Sequence, residues 1–73
     1  MDIYLVSYDQ RAYFLKIGVE VMGRCDRIKW VVVAHSEKEA CALAGMAPEK
    51  VTVTPIGTAS PETSAGVLAK EKL

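Results

Sequence analysis

Apolar and polar positions alternate along much of this chain, and the pattern breaks at one capped helix. The clearest stretch runs from Ile28 to Gly45, IKWVVVAHSEKEACALAG. Ile28 to His35 is rich in β-branched and aromatic residues, which suit a pleated, packed surface. In a strand, Ile28, Trp30, Val32 and Ala34 share one face, and Lys29, Val31, Val33 and His35 share the other. Both faces are apolar between Trp30 and Ala34, as in a strand covered on both sides or with one face awaiting a partner. Ser36 and Glu39 then form the S-x-x-E capping box, with Glu39 expected to reach back to the Ser36 N–H. Ala40, Leu43 and Ala44 give the short helix an apolar stripe toward the sheet. Gly45 suits the left-handed turn that ends it, and Pro48 blocks its resumption.

The remaining segments read mainly as strands. Asp2 to Ser7 alternates Ile3 and Leu5 with Tyr4 and Val6, and is expected beside the Trp30 strand. Lys50 to Gly57 alternates Val51 and Val53 with Thr52 and Thr54, a half-exposed strand. Pro55 lacks a donor and belongs on an edge or at the strand's end. Gly57 to Ser64 is a loop, and Ala65 to Leu73 is read as a strand in preference to a helix begun by Ser60-Pro61-Glu62.

Residues 12–22 admit two readings. Tyr13, Leu15, Ile17, Val19 and Val21 alternate with Phe14, Lys16, Gly18, Glu20 and Met22, a period of two that argues for a strand. A helix after Asp9 would use Ala12, Tyr13, Lys16 and Ile17 instead, against the helix preferences of Gly18 and the valines. The strand is preferred, forming a hairpin with residues 28–35 closed by Gly23-Arg24-Cys25-Asp26-Arg27. The resulting fold class is α+β: an antiparallel sheet of four or five strands with one short helix on a face.

Composition sharpens this outline. Seventy-three residues make one domain, residues 1–73, with a thin stability margin. The apolar fraction of 51% is high for that length, so a homodimer or another partner is expected to complete some of the surface. No run approaches the roughly 18 apolar residues that span a bilayer. The opening MDIYLVSYDQ lacks a basic region, so no signal peptide and a cytoplasmic place are expected.

The formal net charge is zero, but it is unevenly spread. Arg11, Lys16, Arg24, Arg27 and Lys29 outnumber Glu20 and Asp26 between residues 11 and 29, leaving that stretch net positive. These five residues are the expected partner contact set. Glu37, Glu39 and Glu49 form the alternative, an acidic side that would mimic nucleic-acid phosphates. Tyr13, Phe14 and Trp30 near the basic residues also raise single-strand nucleic-acid binding, although a solvated charged face with core aromatics is the favoured reading.

Chemistry is sparse. His35 is the only histidine, with no orienting group beside Cys25 or Ser36 that would make a general base. Cys41 reads as a small core residue, and Cys25 as a turn cysteine flanked by arginines. No C-x-x-C or phosphate loop occurs, so no catalysis, metal or cofactor is expected.

MDIYLVSYD, WVVVAHSEKEACALA and VTPIGTASPETSAGVL resemble a group of small phage and prophage proteins. In that group an M-x-I-Y-L-V strand precedes a V-V-V-A-x-S-E-x-E-A strand-helix unit, an I-G-T-A-S-P-E segment and a G-V-L strand. The chain departs from the group between Gln10 and Asp26. Small phage proteins of this class resemble anti-CRISPR proteins. That resemblance implies a phage-encoded, non-enzymatic inhibitor acting in the bacterial cytoplasm. Its partner would be a Cas protein of a type I CRISPR–Cas effector complex, with a surface or DNA binding occluded. A nucleic-acid-associated accessory protein and a self-assembling structural protein are the alternatives.

Overall fold

The computed structural model describes residues 1–73. Its strands are β1 (Asp2–Asp9), β2 (Arg27–Ala34), β3 (Thr52–Thr58) and β4 (Gly66–Lys72). Two helices, α1 (Gln10–Lys16) and α2 (Glu37–Ala44), and a 3₁₀ turn (Pro48–Lys50) connect them. The strands form one antiparallel sheet in the order β3-β1-β2-β4. The α+β class is therefore as expected, with four strands and with a second helix that sequence reading did not favour.

The first strand and the Trp30 strand lie side by side as anticipated. Tyr4 faces Val32 and Val6 faces Trp30 across the β1–β2 ladder. These four residues, with Ala34 and Ala40, make the buried core. Tyr8, Ile28, Ala44, Met46, Val51 and Val53 pack around it. Only eight residues are buried in all, so each contributes a large share of the hydrophobic stabilisation.

The cap of α2 forms, with one difference. The Glu39 N–H donates to Ser36 Oγ at 3.1 Å, and Gly45 adopts φ 73° at the other end. Glu39 Oε1, however, accepts from the His35 N–H at 3.0 Å rather than from that of Ser36. It also meets His35 Nδ1 at 3.0 Å, so both groups of one residue draw the carboxylate a position further back. The buried face of α2 is also rotated from the expected stripe. Ala40 and Cys41 are buried, while Leu43 is exposed. A two-turn helix offers room for small side chains against the β-branched sheet surface, and the larger Leu43 falls outside that contact.

The preferred strand at residues 12–22, and the hairpin it was to form, are corrected by the structure. Residues 10–16 are helical, and 17–26 carry no regular element. Two physical reasons account for this. Asp9 caps α1, its Oδ1 accepting the Ala12 N–H at 3.2 Å, and Gln10, Arg11, Ala12, Leu15 and Lys16 are good helix formers. A strand at 12–22 would also need a ladder partner, yet β1 occupies one edge of β2 and β4 the other. Alternation gives a face but not an edge to pair with.

Both outer strands carry a bulge. On β3 the register shifts opposite Ile3 and Tyr4, beside Pro55. On β4 it shifts opposite Val31 and Val32, at Leu68 between Val67 and Ala69, and Lys70 and Lys72 follow on the same strand. Bulges, proline and lysine on edge strands oppose further strand addition, so the free edges are poor templates for another chain.

Candidate functional site

β1 runs about 25 Å from one end of the sheet to the other, and the two ends differ in charge. At the end where β1 finishes and β2 begins, α1, the strand ends and the 3₁₀ turn border a half-open cleft of about 200 Å³. Its chemistry is set by Lys16 from α1, Arg27 and Lys29 from β2, and Lys50 from the 3₁₀ turn. Asp9 and Glu49 are the carboxylates on its wall. Four cations from three elements and two acids thus gather at one end of the sheet.

The strand register divides these lining residues between the two faces of the sheet. Thr52, Ser7 and Lys29 stand opposite one another on β3, β1 and β2. They share one face because directly opposed residues in antiparallel strands point the same way. Tyr13 forms part of the wall, with Lys50 Nζ 5.7 Å from its ring centroid. Tyr8, next to Ser7 on β1, points to the other face of the sheet, with Ile28 and Val51 at the margin of the core. Burial, and then the negative charge of Asp26, push its phenol above the ordinary range, so it keeps its proton as a donor.

Asp9 does not neutralise the cleft freely. It accepts the α1 cap bond and lies 3.8 Å from Arg27 Nε. Lys16, Lys29 and Lys50 have no carboxylate oxygen within 4.0 Å. The region therefore holds a positive potential in a chain whose total charge is zero.

Of the five basic residues expected to form a contact set, Lys16, Arg27 and Lys29 come together here. Arg11 is on the adjoining side, where it shares a shallow cleft with Asp9, Cys25 and Arg27. Its guanidinium donates to the Gly23 carbonyl at 3.0 Å, which ties the 17–26 segment back to α1. Arg24 lines neither space. Lys50 was missed because it lies far along the sequence. The signal present was its place one residue before the Val51–Val53 alternation, which returns it to the sheet end.

The acidic set is not a single patch. Glu37 and Glu39 lie in the first turn of α2, while Glu49 lines the cationic cleft. Glu39 is held by His35, whose N–H and ring pull its carboxyl below the usual range. His35 is exposed and its ring meets a carboxylate that already serves the helix start. Ser36 Oγ is engaged as the cap acceptor. No group of three or more histidine, cysteine or acidic side chains is placed to hold a metal.

The aromatic residues are not open stacking platforms. Trp30 is buried, with Lys70 Nζ 5.8 Å from its ring centroid. Tyr13 has Lys50 against it and Phe14 at a centroid distance of 5.9 Å.

No helix is long and apolar enough to cross a membrane. No protein-family model, curated protein or solved structure matches the chain.

Proposed function

We propose that this protein is a non-catalytic binding protein of the phage-inhibitor kind. In this reading it docks on a Cas subunit of a type I CRISPR–Cas effector complex and occludes a surface or the DNA path. The three segments that resemble small phage proteins support the class. One observation carries the choice of surface: Lys16, Arg27 and Lys29 converge on one end of the sheet, joined by Lys50. An anionic surface on the partner is the complement, and steered association follows from such a charge cluster.

Affinity capture from a nuclease-treated bacterial lysate, with bound proteins identified by mass, tests the class. Stoichiometric recovery of Cas subunits is expected; recovery of the protein alone overturns it. Charge reversal then tests the surface. Lys16→Glu with Lys29→Glu is expected to abolish capture, and Glu37→Lys to leave it intact. The opposite result returns the contact to the acidic side.

Self-association is favoured by a separate observation. Leu15, Ile17, Val19 and Met22 are exposed around the end of α1, Met22 at 90%. A concentration-dependent solution mass that Met22→Ser abolishes is the expected sign of this second reading. A constant monomer mass at high concentration rules it out.

A further inference from the structure

We propose that the excursion between β1 and β2 is a peripheral anchor for an anionic lipid bilayer surface. The ladder sets it apart from the sheet. Asp9 stands opposite Arg27 at the end of the β1–β2 pairing, so residues 10–26 stand where two would close an antiparallel turn. Its neck is closed by three hydrogen bonds. The Gln10 N–H donates to the Asp26 carbonyl at 3.0 Å, and the Asp26 N–H to Gln10 Oε1 at 2.8 Å. The Arg11 guanidinium donates to the Gly23 carbonyl at 3.0 Å, which sets Arg11 beside Met22 and Arg24. Gly18, with φ 78°, turns the chain back so that the Val19 N–H reaches the Phe14 carbonyl at 2.8 Å. No residue of this closed lobe is fully buried, so the core does not account for it, and compact loops of this length commonly carry function.

Its outer surface is of two kinds. Leu15, Ile17, Val19 and Met22 are four of the nine exposed large apolar side chains of the whole protein, crowded into eight consecutive residues. Arg11, Lys16 and Arg24 are exposed among them, against the single acid Glu20. None of the three cations has a carboxylate oxygen within 4.0 Å. A nucleic-acid strand takes the cations but not the aliphatic side chains, and Tyr13 and Phe14, the rings of the lobe, are half-buried. A second copy covers the apolar residues but brings two cationic lobes together across a two-fold axis. Protein hot spots draw on Trp and Tyr, with Leu and Val under-represented, and no exposed ring is present here. An anionic bilayer takes both kinds, the apolar side chains at the headgroup boundary and the cations against the lipid phosphates. Asp2, Glu37 and Glu39 stand at the opposite end of the ladder, so the same field turns the lobe toward the lipid. This holds whether or not the protein binds a Cas subunit.

The test is cosedimentation of the full chain with two sets of vesicles. One holds phosphatidylglycerol and phosphatidylcholine in equal parts, the other phosphatidylcholine alone. Binding to the anionic set is expected, weakening as salt is raised, with little binding to the neutral set. Lys16→Gln and Arg24→Gln should each weaken it about fivefold, and Met22→Ser about tenfold. All three positions are exposed, and fluorescence of the buried Trp30 checks that each variant is folded. Lys38→Gln, in the first turn of α2 at the far end, should change nothing. Equal binding to both sets, or anionic binding that Met22→Ser leaves unchanged, overturns the proposal. Binding to neither set also overturns it, and a concentration-dependent mass that Met22→Ser abolishes then gives the lobe to a second copy.

Discussion

The two helices begin in the same way and end in different roles. Asp9 caps α1 and Ser36 caps α2, each accepting the backbone N–H three residues on. Their lengths are nearly equal, seven and eight residues. Yet α2 buries Ala40 and Cys41 against the sheet, while α1 buries no residue. Helices this short are not stable alone, so tertiary contact decides what each contributes. α2 is part of the core and its sequence is constrained by packing. α1 is a bracket that holds Lys16 and Tyr13 over a cleft, and its outer face is open to charge and to exposed apolar side chains.

The largest effect should come from the surface that α2 covers. Trp30→Ala removes the biggest buried side chain of the core and is expected to cost about 3–5 kcal/mol. Met22→Ala, beyond α1, should stay within about 0.5 kcal/mol. Urea unfolding of both variants measures the contrast. Equal losses would show that the 17–26 segment is packed as tightly as the sheet, and the contrast between the helices would collapse.

Removing the caps gives a smaller and more discriminating effect. Ser36→Ala should lower global stability by about 1 kcal/mol, because α2 must fold with the sheet. Asp9→Ala removes a cap of the same kind and should mainly release α1 locally. Hydrogen exchange separates the two outcomes: faster exchange at Ala12 and its neighbours, with β1 and β2 protection kept. Loss of protection across the whole sheet in Asp9→Ala would make α1 a core element.

The smallest effect is in the acid limb of stability. Glu39 has its folded pKa lowered, first by the His35 backbone N–H and then by the His35 ring. A carboxyl with a depressed folded pKa stabilises above its unfolded value and loses that contribution as pH falls through the folded value. Stability should therefore decline in the acid range below the ordinary carboxylate pKa. Glu39→Gln should flatten that decline in pH-dependent thermal unfolding. An identical acid limb in the variant would place the pH dependence on other carboxylates. The effect stays modest because the pair is exposed and screened.

Much of the fold was legible because local and global signals agreed. Val6, Trp30 and Val32 carry β-favouring side chains at positions that the sheet buries. Ser36 and Gly45 bracket a helix that the capping rules locate within a residue. Pro55 announced an edge strand and β3 is one. The site was legible in part: Lys16, Arg27 and Lys29 are near one another in sequence, so their clustering survived even though the hairpin expected to carry them does not form. Lys50 joins them only because α2 and the 3₁₀ turn bring the chain back to the same end.

The amino-acid sequence by itself determined the faces of the strands, the limits of α2 and the unequal spread of charge. These depend on side-chain period, on caps and on residue type, all of which act over a few neighbours. The tertiary structure alone decided that residues 10–16 are helical, that Leu43 lies outside the core, and that Glu49 faces lysines instead of joining Glu37 and Glu39. Each of those depends on which strand edges are free and which chain ends meet in space. Pairing partners and long-range charge neighbours are set by the ladder order β3-β1-β2-β4, and no local pattern encodes that order.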